Sequence, residues 1–259
     1  MLTSHLKLTG KRLFAALALF ANSCWSASFT IGVEDIDYYP YFNFTAENSS
    51  FSKDLFDQFA ADTGHQISYL PLPIKQFSKW LFDENIDFKF PDNQRWQEQP
   101  VGPEHTLYFS DDILMMTAGT LVMSKNADKP ESFILNVGTI SGFHPTLWLE
   151  QIAQGKVKII EDRSPKILVK QLVHGIVDGL DIDLAVANYH LKELKLSDKI
   201  VISSHLKKQI YAYKLSTLKY PEVIAQFNRW LGQNEAFVTE LKSRYGILEV
   251  EPNLKNILP

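Results

Sequence analysis

The stretch FPDNQRWQEQP, residues 90–100, gathers groups that could hold a ligand: Arg95, Trp96 and the Asp92-Asn93 pair, between Pro91 and Pro100. A guanidinium presents a planar fork that matches a carboxylate bidentately, which a lysine cannot replace equally. Arg95 therefore reads either as an anion grip or as one half of a surface ion pair. Trp96, in a polar and proline-bounded segment, suits a lid or a stacking face better than a core position. Asp92 and Asn93 could also only set a turn. A second cluster is Tyr38, Tyr39 and Tyr41 around Pro40; tyrosine offers a flat apolar face with a polar tip. Asp183 precedes LAVANY and is either a ligand for a cation or the N-cap of a helix. His144 stands at the start of HPTLWLEQIAQG, which reads as a helix with Pro145 near its first position; free N–H groups at such an end favour an anion.

Catalytic motifs are missing. The sequence contains no Gly-x-Ser-x-Gly, no His-Glu-x-x-His and no glycine-rich phosphate loop. Asp181 and Asp183 alternate along a strand and point to opposite faces, which argues against a shared metal. No metal and no cofactor are expected.

The elements that must position these residues follow from periodicity. SFTIGV is a β-prone strand, and SKDLFDQFAADTG is a helix with an apolar stripe of Leu55, Phe56, Phe59 and Ala60, Ser52 as candidate N-cap and Gly64 as its stop. HQISYLPLP and NIDFKF read as strands, with a short helix carrying Phe77, Trp80 and Leu81 between them. This alternation predicts a mainly parallel sheet with helices on both faces. Residues 113–123 carry no charge and read as one buried strand crossing the molecule. A second β/α unit follows, with Ser164 and Pro165 opening a helix, and then QIYAYKL, a second crossing strand. Two amphipathic helices form the tail. Two lobes joined by two strands make a hinge and a cleft.

The first 27 residues differ from the rest. Lys7, Lys11 and Arg12 precede the apolar run Leu13 to Ala21, and small residues follow, the layout of a secretory signal peptide. Roughly nine apolar residues fall well short of the 20 or so that span a bilayer. Cleavage after Ser26 or Ala27 would leave 23 basic against 30 acidic residues, a net charge of −7, and would remove Cys24, the one cysteine. An acidic chain with no basic run is a poor partner for nucleic acid.

Five segments in order resemble the bacterial extracellular solute-binding proteins of family 3: IGVEDIDYYPYFNF, FSKDLFDQFAADTG, YFSDD, VGTISGF and HGIVDGLDIDLAVANY. The resemblance covers nearly all of residues 28–250. It implies an α/β, two-lobe type II periplasmic binding fold: signal peptide 1–27, first lobe 28–118, second lobe 119–212, and a return to the first lobe over 213–259. It implies further that Tyr38 packs on the ligand, that Asp183 receives an ammonium, and that residues near Phe143 and His144 help to hold a carboxylate. Tyr38, Tyr41, Asn93, Arg95, Trp96, His144 and Asp183 make the candidate site. The 90–100 segment departs from the family pattern. Arg95 lies fourteen residues before Phe109, whereas the family's arginine lies about six before the Phe-Ser element.

The expected function is capture of a small polar, amino-acid-like or carboxylate-bearing solute in the periplasm by hinge closure. The expected chain is a monomer serving an inner-membrane ABC permease or a sensor. Two alternatives stand beside it: a dehydratase-like enzyme using Glu34, Asp35 or His144, and a relative that has lost its solute and binds a protein.

Overall fold

The structure is a computed structural model that describes residues 27–46, 49–83, 86–96, 106–197 and 199–247. The proposed signal segment lies outside these residues, Ala27 excepted, as does the end of the 90–100 stretch. Among the described residues no helix is long and apolar enough to cross a membrane.

The first lobe begins with β1 (Ser28–Glu34), followed by α1 (Phe51–Thr63), β2 (Gln66–Leu72), α2 (Trp80–Asp83), β3 (Phe88–Asp92), β4 (Tyr108–Phe109) and β5 (Leu114–Gly119). β1 lies between β2 and β3 and pairs in parallel with both. The stripe Leu55, Phe56, Phe59 and Ala60 is buried, and α1 stops at Gly64, whose φ of 75° suits a residue without Cβ. The N-cap is Ser50, not Ser52 as the sequence suggested. Ser50 is extended and its hydroxyl accepts the Asn43 N–H at 3.1 Å, which ties the helix start to the tyrosine turn.

The second lobe comprises β6 (Leu121–Met123), β7 (Asn136–Ile140), α3 (Leu149–Ala153), β8 (Lys158–Asp162), α4 (Pro165–Val173), β9 (Gly179–Asp181), α5 (Leu184–Glu193) and β10 (Ile200–Ile202). Its sheet runs β10-β6-β9-β7-β8, parallel around β7. Ser164 accepts the Ile167 N–H and Pro165 opens α4, as the sequence indicated. The long strand expected over 113–123 is divided at Thr120. Thr120 is buried there, accepts the Trp148 indole N–H at 2.9 Å and turns the chain from β5 into β6.

β11 (Lys208–Thr217) is the second crossing strand. Its first six residues pair with β5, and its end pairs with β3 and β4 of the first sheet. Then α6 (Pro221–Gln233) and α7 (Glu235–Arg244) close the first lobe, with Val223, Ile224, Phe227 and Trp230 buried. The connections β5–β6 and β11 thus carry the chain out to the second sheet and back. Side chains where the lobes meet are placed by the ends of β1, β3 and β9.

Candidate functional site

The lobes meet at the start of α5. The Asp183 carboxylate accepts the Ala185 N–H at 2.7 Å and so caps the helix; its first turn offers unpaired N–H groups that need such an acceptor. The Tyr41 hydroxyl, from the turn after β1, donates to the same oxygen at 2.7 Å, and the Asp183 N–H donates to the Tyr38 hydroxyl oxygen at 2.9 Å. Asp183 is therefore a cap and an interlobe contact at once. Burial pushes its carboxyl above the ordinary value, while the Tyr41 bond and two helix N–H groups pull it down. Beside it, burial pushes Asp181 up to about 6, with Thr139 opposing. Phe143 sets its ring edge-on to Tyr38 at 5.6 Å. At the rim Lys75 reaches Glu161 across the lobes at 3.1 Å. Gly142 has a φ of +103°, and a Cβ there would lie 3.0 Å from the Lys75 backbone nitrogen, so close approach of the lobes requires glycine.

The other candidates are divided between two places. Asn93 is buried, donates from its amide to the Ala212 carbonyl at 2.6 Å and accepts the Arg95 N–H at 2.9 Å. Arg95 is exposed, and its guanidinium donates to the Ile210 carbonyl at 3.1 Å. Trp96 stands against Tyr211 and Tyr213 with ring centres 5.8 Å away in both cases, and against Phe77 at 6.0 Å. The segment is thus docked along β11. Tyr211 and Tyr213 belong to the same aromatic seam and escaped the sequence reading, which took QIYAYKL as an apolar strand. Their i, i+2 spacing was the available signal, because alternate residues share a face. His144 stands apart, exposed. It does not open a helix: a turn occupies 146–148, where Trp148 is drawn inward to Thr120, and α3 starts only at Leu149. The helix-end argument for His144 therefore falls.

Beneath the seam lies a buried polar group. Lys89 contacts Asp92 at 3.1 Å and stands 4.0 Å from the centre of the Phe77 ring. Ser216 donates to the same Asp92 oxygen at 2.5 Å. Glu34, at the end of β1, is pushed up to about 8 by burial, which Lys89 opposes and Asp92 reinforces, and its Oε2 is buried without a hydrogen-bond partner. Among the described residues no group of three His, Cys, Asp or Glu side chains could hold a metal ion.

An open groove of about 930 Å³ runs along α5 from this seam. Asp183 and Tyr41 line it, with Tyr39, Tyr189 and Tyr245 on its walls and Met116 of β5 below. Both lobes and a crossing strand thus contribute to one cavity, whose volume is within the range of small-molecule sites.

No family model and no curated protein sequence match the chain. Solved structures do. A substrate-binding protein of an ABC uptake transporter from Streptococcus pneumoniae, with bound histidine, aligns at TM-score 0.67 and 16% identity, covering 87% of this chain and 94% of that one. An arginine transport-system periplasmic binding protein from Legionella pneumophila aligns at TM-score 0.62 and 16% identity, covering 85% and 100%. An ancestral amino-acid-binding protein, a precursor of cyclohexadienyl dehydratase, aligns at TM-score 0.63 and 20% identity, covering 84% and 95%. The fold is the two-lobe α/β type II periplasmic binding fold, with its interlobe cleft.

Proposed function

We propose that this chain, which has the fold of periplasmic amino-acid-binding proteins, binds a small amine-bearing solute between its lobes and serves uptake or sensing at the inner membrane. The observation that carries the reading is the seam at Asp183: one half-buried carboxylate that caps a helix, faced by two tyrosines of the other lobe, and opening onto a groove large enough for a solute. An ammonium there meets a counter-charge shielded from water, where hydrogen bonds to charged groups are strongest. Because the groove is walled by both lobes, a solute filling it has more contacts in the closed form, and closure is stabilised by that difference in affinity.

Thermal unfolding of residues 28–259 against amino acids, organic acids, amines and short peptides tests this. A solute at 100 times its dissociation constant adds about 2.7 kcal/mol, a rise of roughly 5–11 °C for a chain of this size. Amine-bearing compounds should give the shift and their deaminated analogues should not. A flat panel moves weight to a protein-binding role, and a shift confined to organic acids rejects the role given to Asp183.

One observation supports an enzyme on the same scaffold. Glu34 is a buried carboxyl whose Oε2 has no hydrogen-bond partner, and burial pushes it up to about 8, the range a general acid or base needs. Conversion of a bound solute to product, lost in Glu34→Gln, would select that reading over retention.

A further inference from the structure

The groove has a length and a distribution of charge that single out a class of solute, given that Asp183 takes an amine as proposed above. Residues 185, 188, 189 and 192 line it, recurring three and four apart, with Asp183 just before α5 and Lys195 just after it, so one face of the helix runs along the groove. One end is the half-buried Asp183 carboxylate. Toward the other end of α5 stand Lys192 and Lys195, and Arg244 of the first lobe lines the same space. Glu193 lines it too, but is bound by His190 at 2.8 Å and Lys166 at 3.4 Å. Arg244 is bonded to Glu240 at 3.1 Å and stands 3.9 Å from Asp54, so its charge is already met. Lys192 and Lys195 are exposed.

Nine residues of helix separate Asp183 from Lys192, roughly 13 Å at the usual rise. Helical side chains lean toward the N-terminus, so the Lys192 ammonium lies somewhat nearer. An α-amino acid, whose charges are one carbon apart, cannot reach both ends. An extended peptide advances about 3.4 Å per residue, so three or four residues span the gap. The walls suit such a chain: Tyr39, Tyr189 and Met116 offer faces to side chains, and Asn188 offers an amide to the peptide backbone.

We infer that the groove is a site for a short peptide of three or four residues with free termini, its ammonium at Asp183 and its carboxylate at Lys192 and Lys195. The residue that holds the carboxylate is then on α5, and Arg95, bonded to Ile210 on β11, is not required for it.

Isothermal titration of residues 28–259 with tri- and tetra-alanine, their N-acetylated and C-amidated forms, and free alanine, lysine and arginine tests the inference. The free tri- or tetrapeptide should bind more tightly than any single amino acid. N-acetylation should weaken it about 10- to 100-fold, the loss of a buried charged contact. Amidation should weaken it about three- to tenfold, a loss that shrinks with salt, as exposed pairs do. The Lys192→Ala/Lys195→Ala variant, altered only at exposed positions, should bind the free and amidated peptides equally. Tighter binding of single amino acids overturns the peptide site and leaves the solute-binding reading standing. Equal sensitivity to amidation in wild type and variant removes the lysines from the site and overturns the inference. Failure of every compound to bind counts against both readings.

Discussion

Replacing Asp183 in two ways separates its structural role from its binding role. In Asp183→Ala the Ala185 N–H loses its cap, which costs about 0.5–2 kcal/mol. The Tyr41 hydroxyl also loses its bond to this carboxylate, at about 1–3 kcal/mol. The two share one oxygen, so the sum is not strictly additive, and a loss of about 2–4 kcal/mol is expected. Asp183→Asn keeps a carbonyl oxygen where the Tyr41 hydroxyl and the Ala185 N–H point. Because burial already disfavours the ionised form of Asp183, the neutral amide carries no electrostatic penalty there. Its stability should stay within about 1 kcal/mol of wild type. Binding should behave otherwise, since a carboxylate–ammonium bond is worth about 1.5–3 kcal/mol and its loss weakens an amine-bearing solute about 10- to 100-fold. Urea unfolding gives the first quantity and isothermal titration the second. An Asn variant as unstable as the Ala variant, or one that binds as wild type does, would refute the two-role account.

Further outcomes follow from other contacts. Glu34 is protonated in the fold up to about pH 8, whereas in the unfolded chain it ionises near 4.5, so its contribution is complete below 4.5 and is lost as pH rises toward 8. Glu34→Gln should therefore flatten the fall of unfolding free energy over that window by up to about 1.4 kcal/mol per pH unit; an unaltered slope would place Glu34 in contact with water. Gly142→Ala strains a residue at φ +103° and sets a Cβ against the Lys75 backbone. It should weaken solute binding while the second-lobe sheet keeps its hydrogen-exchange protection, and unimpaired binding would show that the closed approach at this point is not needed. Ser164→Ala removes the N-cap of α4 and should cost about 0.5–2 kcal/mol in urea unfolding with no change in affinity, whereas a change in affinity would tie α4 to the site. Breaking the exposed Lys75–Glu161 bridge by Lys75→Ala should alter stability by less than about 1 kcal/mol, and a larger loss would mean that the rim, rather than the seam, holds the lobes together.

What the sequence revealed and what it hid have physical causes. The α1 stripe was legible because apolar residues three and four apart can serve only one helical face, and Leu55, Phe56 and Phe59 are indeed fully buried. The Ser164-Pro165 helix start was legible because both residues favour the same position. The Thr120 break in 113–123 was hidden, since a buried run looks alike whether or not it bends. The start of α3 was misplaced because Pro145 suits the first turn of a helix but does not compel one. In the candidate site, Tyr38, Tyr41 and Asp183 stood out by their motifs. The groove along α5 did not, because Tyr39, Met116, Tyr189 and Tyr245 come from four distant segments and are brought together only by the packing of the lobes. Lys89 was passed over as one charge inside an apolar strand, yet it is buried against Asp92 and Phe77.

The most direct test of the account is a crystal structure of residues 28–259 with the tightest-binding solute found by thermal unfolding. The account expects the solute's amine nitrogen within about 3 Å of an Asp183 carboxylate oxygen, with both lobes in contact with the molecule. A solute bound against Trp96 and Arg95 with Asp183 still covered by Tyr41, or held by one lobe alone, would contradict it.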